Sequence, residues 1–352
     1  MRKFLFPTAI MLAVAAFTAC TAPKSLVINI QKPAQVALSG TVDNIVIANN
    51  LIVQPSSKGN TIQKYDEEGN VVFEEISVPT DSLGIILSET LYETLADQNY
   101  FKEVSIYDKP LRSDLSYDQI RPVDSLVAKE ICRVSNSDVL IALDKFHVTS
   151  NEDEGFTDFG LKVKNLDLKL AAAFTIYSKD GKLISHSLNL VDSIYWSALY
   201  NNKHLVSEYP IPSREDALKE AARYAGEKIA NAFIPYWNEV PRLYYNENKE
   251  AVLLAEKDDW DGARKLWESA YEHEPKDRRK ARIAFNIALA NELTDNLKDA
   301  VKWITTASEL FQKLEQTSVD HTNYERSEEY KKELLERYAD FKLLDATSQA
   351  KE

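Results

Sequence analysis

Apolar and polar residues alternate most cleanly between 166 and 176. Leu166, Leu168, Leu170, Ala172, Phe174 and Ile176 fall at every second position, which puts them on one face of a β-strand. Asp180-Gly181 supplies a tight turn, and the chain returns as a second strand from Leu183 to Trp196. Apolar runs at Asn44–Val53, Val104–Tyr107 and Val139–Val148 read as further strands, and Glu68-Gly69-Asn70 turns a hairpin within 63–77. Between these strands the period changes to that of a helix. Ile86, Leu87, Leu91 and Leu95 share one helical face in a segment beginning near Asp81. Pro122-Val123-Asp124 opens a second helix with an aspartate cap. Pro212-Ser213 with Asp216 opens a third, whose Leu218, Ala222, Ala225, Ile229 and Phe233 face a core. Strands separated by helices, with one long hairpin, predict a mixed sheet with helices packed on it across residues 41–237.

The pattern then changes again. Ile234–Tyr245 (IPYWNEVPRLYY) holds two prolines and four large aromatics, so 238–248 is expected to be a packed hinge. Across 249–350 a longer repeat appears: the small residues Ala263 and Ala300 stand 37 positions apart. Trp267 and Ile304 come four residues later, and Ala270 and Ala307 three beyond those. Small residues let two helices approach closely, and the large neighbour fills the groove beside them. These positions resemble the second helix of tetratricopeptide repeats, whose period is shorter by three. Ala281, Ala284, Phe285 and Ala288 resemble a first helix, and Tyr330, Leu334, Tyr338, Phe341 and Leu344 suit a C-terminal capping helix. The fold class is therefore α+β: a mixed sheet with packed helices, followed by an α-helical tetratricopeptide-like repeat domain.

The first residues set an address. Arg2 and Lys3 precede a mostly apolar run from Phe4 to Ala19, too short to span a bilayer comfortably. It ends in Phe17-Thr18-Ala19-Cys20, which resembles a bacterial lipobox. The resemblance implies a signal peptide over 1–19, cleavage before Cys20, and acylation of Cys20 as the membrane attachment. Residues 20–40 then form a lipidated tether. The absence of aspartate after Cys20 and of a following acidic cluster leads to an expected outer-membrane anchor with the body facing the periplasm. The order of strands and helices over the middle domain resembles periplasmic lipoprotein domains of curli-secretion and penicillin-binding-protein-activator type. Gln31-Lys32-Pro33-Ala34 and Ile234-Pro235-Tyr236-Trp237 suggest an uncharacterised family of Bacteroidota lipoproteins, which carries no assigned activity.

Composition narrows the chemistry. The net charge of −13 disfavours nucleic acid as a partner. Nine glycines, no two closer than five positions, leave no G-x-G-x-x-G, so no phosphate-cradling loop is expected. The five histidines match no zinc motif, and no G-x-S-x-G elbow occurs. No catalytic, metal or cofactor residues are expected. Cys132 reads as a small buried hydrophobe beside Val127, Ile131 and Val134. Lys276–Arg282 (KDRRKAR) is the sharpest charged feature, and Arg278, Arg279, Lys280 and Arg282 are candidate contacts for an acidic partner. The expected function is a non-enzymatic envelope scaffold that binds protein partners through its helical repeat. The alternative is glycan or peptide capture beside an outer-membrane transporter.

Overall fold

The computed structural model describes residues 23–38, 41–112, 114, 116–314 and 317–351. The segment expected to be a signal peptide, 1–19, and Cys20 lie outside them. The described residues form two compact units: the stretch Ala34–Ile234, and a second built from those up to Pro33 together with those from Pro235 onward. In chain order the strands are β1 (Lys24–Lys32), β2 (Asn44–Asn49), β3 (Asn60–Tyr65), β4 (Val71–Glu75), β5 (Glu103–Tyr107), β6 (Val139–Phe156), β7 (Lys162–Ser178), β8 (Leu183–Asn201), β9 (His204–Leu205) and β10 (Tyr236–Tyr244). The helices are α1 (Leu83–Asp97), α2 (Ser125–Val134), α3 (Arg214–Ala230), α4 (Lys249–Ala255), α5 (Trp260–His273), α6 (Asp277–Leu293), α7 (Leu297–Gln312) and α8 (Ser318–Lys351). The architecture is α+β, with a mixed sheet and a C-terminal helical region.

The first unit is organised by one mixed sheet. β6, β7 and β8 form a long antiparallel meander, and β2 runs parallel to both β6 and β5. The alternating residues of β7 are all buried, as their spacing requires. They share a core with Ile45 and Ile47 of β2 and with Leu87, Leu91 and Leu95 of α1. Val46 and Ala48, on the opposite face of β2, meet Ala128, Ile131 and Cys132 of α2. Local signals set the helix starts. Asp124 accepts from the Leu126 amide at 2.8 Å, and the Ser213 hydroxyl accepts from the Asp216 amide at 3.2 Å. Gly226 sits inside α3 because a β-carbon there would lie 2.7 Å from the Leu87 carbonyl of α1. The two helix backbones cross in contact.

The second unit corrects two expectations. Residues 24–32 are not tether: they are strand β1, paired antiparallel with β10 from Lys24↔Tyr244 to Lys32↔Tyr236. The segment expected as a hinge is largely β10, and the residues just beyond that strand are tied down. The Tyr245 amide donates to Asn286 at 2.7 Å, the Asn286 amide returns a bond to the Tyr245 carbonyl at 2.7 Å, and Trp267 donates its indole N–H to the Glu247 carbonyl at 2.8 Å. Helices α4 to α8 pack each on the next in chain order. The repeat positions Ala263, Trp267, Ala300, Ile304 and Ala307 are fully buried, and Ala270 is half-buried. They share a core with Ala281, Ala284 and Ala288 of α6.

Candidate functional site

The four candidate cations lie on the first two turns of α6, and their charges are used inside the molecule. Arg278 makes a two-pronged pair with the buried Asp320 of α8 at 2.7 and 2.6 Å. Hydrogen bonds from Arg278, followed by one from Thr317, outweigh burial and hold the Asp320 carboxyl below the usual carboxylate range. Arg279 and Arg282 converge on Glu247, at 3.0 and 3.4 Å, and Arg279 also reaches Glu274 at 3.3 Å. Lys280 stands over the Tyr271 ring, 4.7 Å from its centroid. These pairs offset the unfavourable meeting of cations with a helix N-terminus. Three of the four candidate contacts are thus partners of acids on neighbouring segments, and the fourth packs on an aromatic ring. Cys20 lies outside the described residues.

A different feature of the same unit is open. A groove of about 560 Å³ runs between the β1–β10 ribbon and the ends of α6, α7 and α8. Trp237 and Phe341 line it while 68% and 50% exposed. Asp295, Asp345 and Arg337 also line it, and Asp295, whose side chain is 83% exposed, lies 3.5 Å from the Arg337 guanidinium.

A buried charge network stiffens the groove wall. Arg242 of β10 donates from Nε and Nη2 to Glu292 at 2.8 and 3.0 Å, and from Nη1 to Glu333 at 2.6 Å. The Tyr330 hydroxyl donates to Glu292 at 2.6 Å, and Arg337 reaches it at 2.8 Å. Burial pushes the Glu292 carboxyl up. Arg242, Tyr330 and Arg337 together outweigh that effect and leave it below its ordinary value. Burial, reinforced by Glu292, drives the Tyr330 hydroxyl well above its ordinary value, so it remains a donor. Glu333 goes the other way, because burial and its acidic neighbours exceed the pull of Arg242. A carboxylate whose oxygens are occupied by three donor groups, with its pKa depressed, is suited to fixing structure and poorly suited to proton transfer.

Sequence reasoning missed this site. One signal was present: from Ile283 to Ala290 α6 is apolar except for Asn286, and Glu292 stands two residues beyond that run, where a carboxylate requires a buried partner. Among the described residues no group of three or more His, Cys, Asp or Glu side chains could hold a metal ion, and no helix is long and apolar enough to cross a membrane.

Comparison with solved structures gives weak likenesses. The PelC dodecamer from Paraburkholderia phytofirmans aligns at 13% identity and a TM-score of 0.23, covering 60% of this chain and 98% of its own. Lipoprotein GNA1162 from Neisseria meningitidis aligns at 11% identity and 0.20, covering 54% and 99%. No curated protein matches the sequence. Residues 249–336 match a second family, Domain of unknown function (DUF6340). Over residues 42–245, more than half of its length, the chain matches the family described as Domain of unknown function (DUF8603), and it belongs to that family.

Proposed function

We propose that this protein is a lipid-anchored envelope adaptor, held at the outer membrane through Cys20 and facing the periplasm. It binds a segment of a partner protein and performs no reaction of its own. The observation that carries this reading is the groove bearing exposed Trp237 and Phe341. Large aromatics dominate protein interfaces, because they supply much contact area with few torsions to freeze. Asp345 on the same groove has no ion-pair partner among the described residues, unlike Asp295, which Arg337 already meets, and it favours an apolar segment that carries lysine or arginine. An acidic partner at Arg278 and its neighbours fits less well, since those cations already have partners. Glu292 supports the non-enzymatic part of the reading: its proton-accepting capacity is spent on Arg242, Tyr330 and Arg337.

The test is site-specific photo-crosslinking in cells with p-benzoylphenylalanine at Trp237. A discrete adduct to one protein, lost in Phe341→Asp, is expected. Crosslinking spread over many proteins, or an adduct indifferent to Phe341→Asp, would remove the groove from the account. Fractionation of Cys20→Ala tests the anchor, with release from the membrane fraction expected.

A further inference from the structure

The first unit holds a second opening that the adaptor reading does not use. β2 and β5 lie side by side and parallel, and the chain leaves their carboxyl ends toward opposite faces of the sheet. Leu51, just after β2, packs with the α1 core, whereas Leu111, after β5, packs with the α2 core. Where neighbouring parallel strands send their connections to opposite sides, a crevice opens at their carboxyl ends, and such crevices are where open α/β sheets hold ligands. Here it is a cleft of about 410 Å³, bounded by Asn49, by Tyr107 to Arg112, and by one face of α1.

Three observations give it chemistry. Ile85 and Ile106 line it while 53% and 38% exposed, so its walls offer uncovered apolar surface. Ser88 of α1 lines it too; the residue is 3% exposed, and its hydroxyl is buried without a hydrogen-bond partner. An orphaned buried hydroxyl is costly unless something supplies the missing bond. Finally, Glu89, Asp108 and Lys109 at the cleft are exposed and lack ion-pair partners among the described residues. The guanidinium of Arg112 is by contrast consumed by Asp114, at 2.6 Å.

We propose that the cleft binds a small zwitterion with an apolar body, an aliphatic amino acid or a short apolar peptide. Its ammonium group faces Glu89 and Asp108, its carboxylate faces Lys109, its side chain covers Ile85 and Ile106, and a polar atom satisfies Ser88. The volume suits a molecule of that size. A purely anionic ligand would meet two unpaired acids, and a purely cationic one would leave Lys109 unanswered.

Isothermal titration of the full chain decides the matter with four probes: L-leucine, L-leucyl-L-leucine, isoamylamine and 4-methylpentanoate. The last two each carry half of the zwitterion on a similar apolar body. At least one zwitterion is expected to bind, with both half-charged probes about tenfold weaker or more. Lys109→Gln should weaken the zwitterion and leave isoamylamine unchanged. Ser88→Ala should weaken binding several-fold with the melting temperature unchanged or raised, a combination that a structural hydroxyl would not give. No zwitterion binding up to concentrations on the order of 10 mM overturns the proposal. So do equal affinities for either half-charged probe, and full affinity in Ser88→Ala.

Discussion

Glu292 shows how much one residue can hold. Three cationic or hydroxyl donors converge on a side chain with no exposure, and two of them, Arg242 and Arg337, are nearly buried themselves. Removing the acid leaves the buried Arg242 with only the half-exposed Glu333 as a counter-charge and strips Arg337 of its nearest one, so Glu292→Gln should cost about 3 kcal/mol in urea unfolding followed by tryptophan fluorescence. The pH dependence has a definite sign. Because the folded carboxyl lies below its ordinary value of 4.5, its contribution is complete above that pH and is lost as the pH falls through the folded value. The acid limb of the stability profile should therefore flatten in Glu292→Gln. Cys132 behaves differently. Burial, with a smaller contribution from Asp138, pushes its thiol up to about 11, and the residue is 1% exposed. Iodoacetamide at pH 8 should leave Cys132 unmodified in the native protein and alkylate it after denaturation, as read by peptide mass spectrometry. The sequence correctly marked Cys132 as interior but drew its stripe wrongly. Val127 and Val134 are 44% and 51% exposed, and the buried face is Ala128, Ile131 and Cys132. Helical spacing locates a face only to within a residue or so, and the sheet it meets decides the rest.

At the scale of elements, the locally encoded pieces were legible. The β7–β8 hairpin, the Asp124 and Ser213 caps and the paired alanines of the helices each depend on neighbours within a few positions. The β1–β10 pair does not, and it was missed. Leu26, Ile28 and Ile30 do alternate as a strand should, but nothing nearby pairs with them. Their partner contains Pro241, opposite Val27, which reads as an interruption although edge strands accept proline. Ile30 is 3% exposed, and Ile30→Ala should cost about 2–4 kcal/mol. A flexible tether would show no change. The groove was illegible for a similar reason: Trp237 and Phe341 are about a hundred positions apart, and periodicity says nothing about which distant residues share a surface.

Over the whole molecule, the sheet unit is an insertion between two paired strands of the helical unit. Each unit has its own core, and the tryptophans divide unevenly. Trp196 lies in the sheet unit, whereas Trp237, Trp260, Trp267 and Trp303 lie in the other, so fluorescence reports mainly on the helices. That gives a handle on assembly order. Bringing β1 to β10 across an unstructured loop of roughly 200 residues would cost about 5 kcal/mol of chain entropy. The sheet unit, once folded, has already met most of that cost. The Val36 amide donates to the Ala232 carbonyl at 2.8 Å, which clasps the two ends of the insertion together. Weakening the sheet core with Leu91→Ala should therefore slow recovery of tryptophan fluorescence after a denaturant jump, although the mutation lies in the other unit. The clasp makes the fold sequential: Lys24–Lys32 must wait, unpaired, until everything between it and Tyr236 has been made and has closed. During synthesis the first described strand of the chain is thus among the last to find its place. For that interval its apolar alternation is an exposed edge that a chaperone would have to shield.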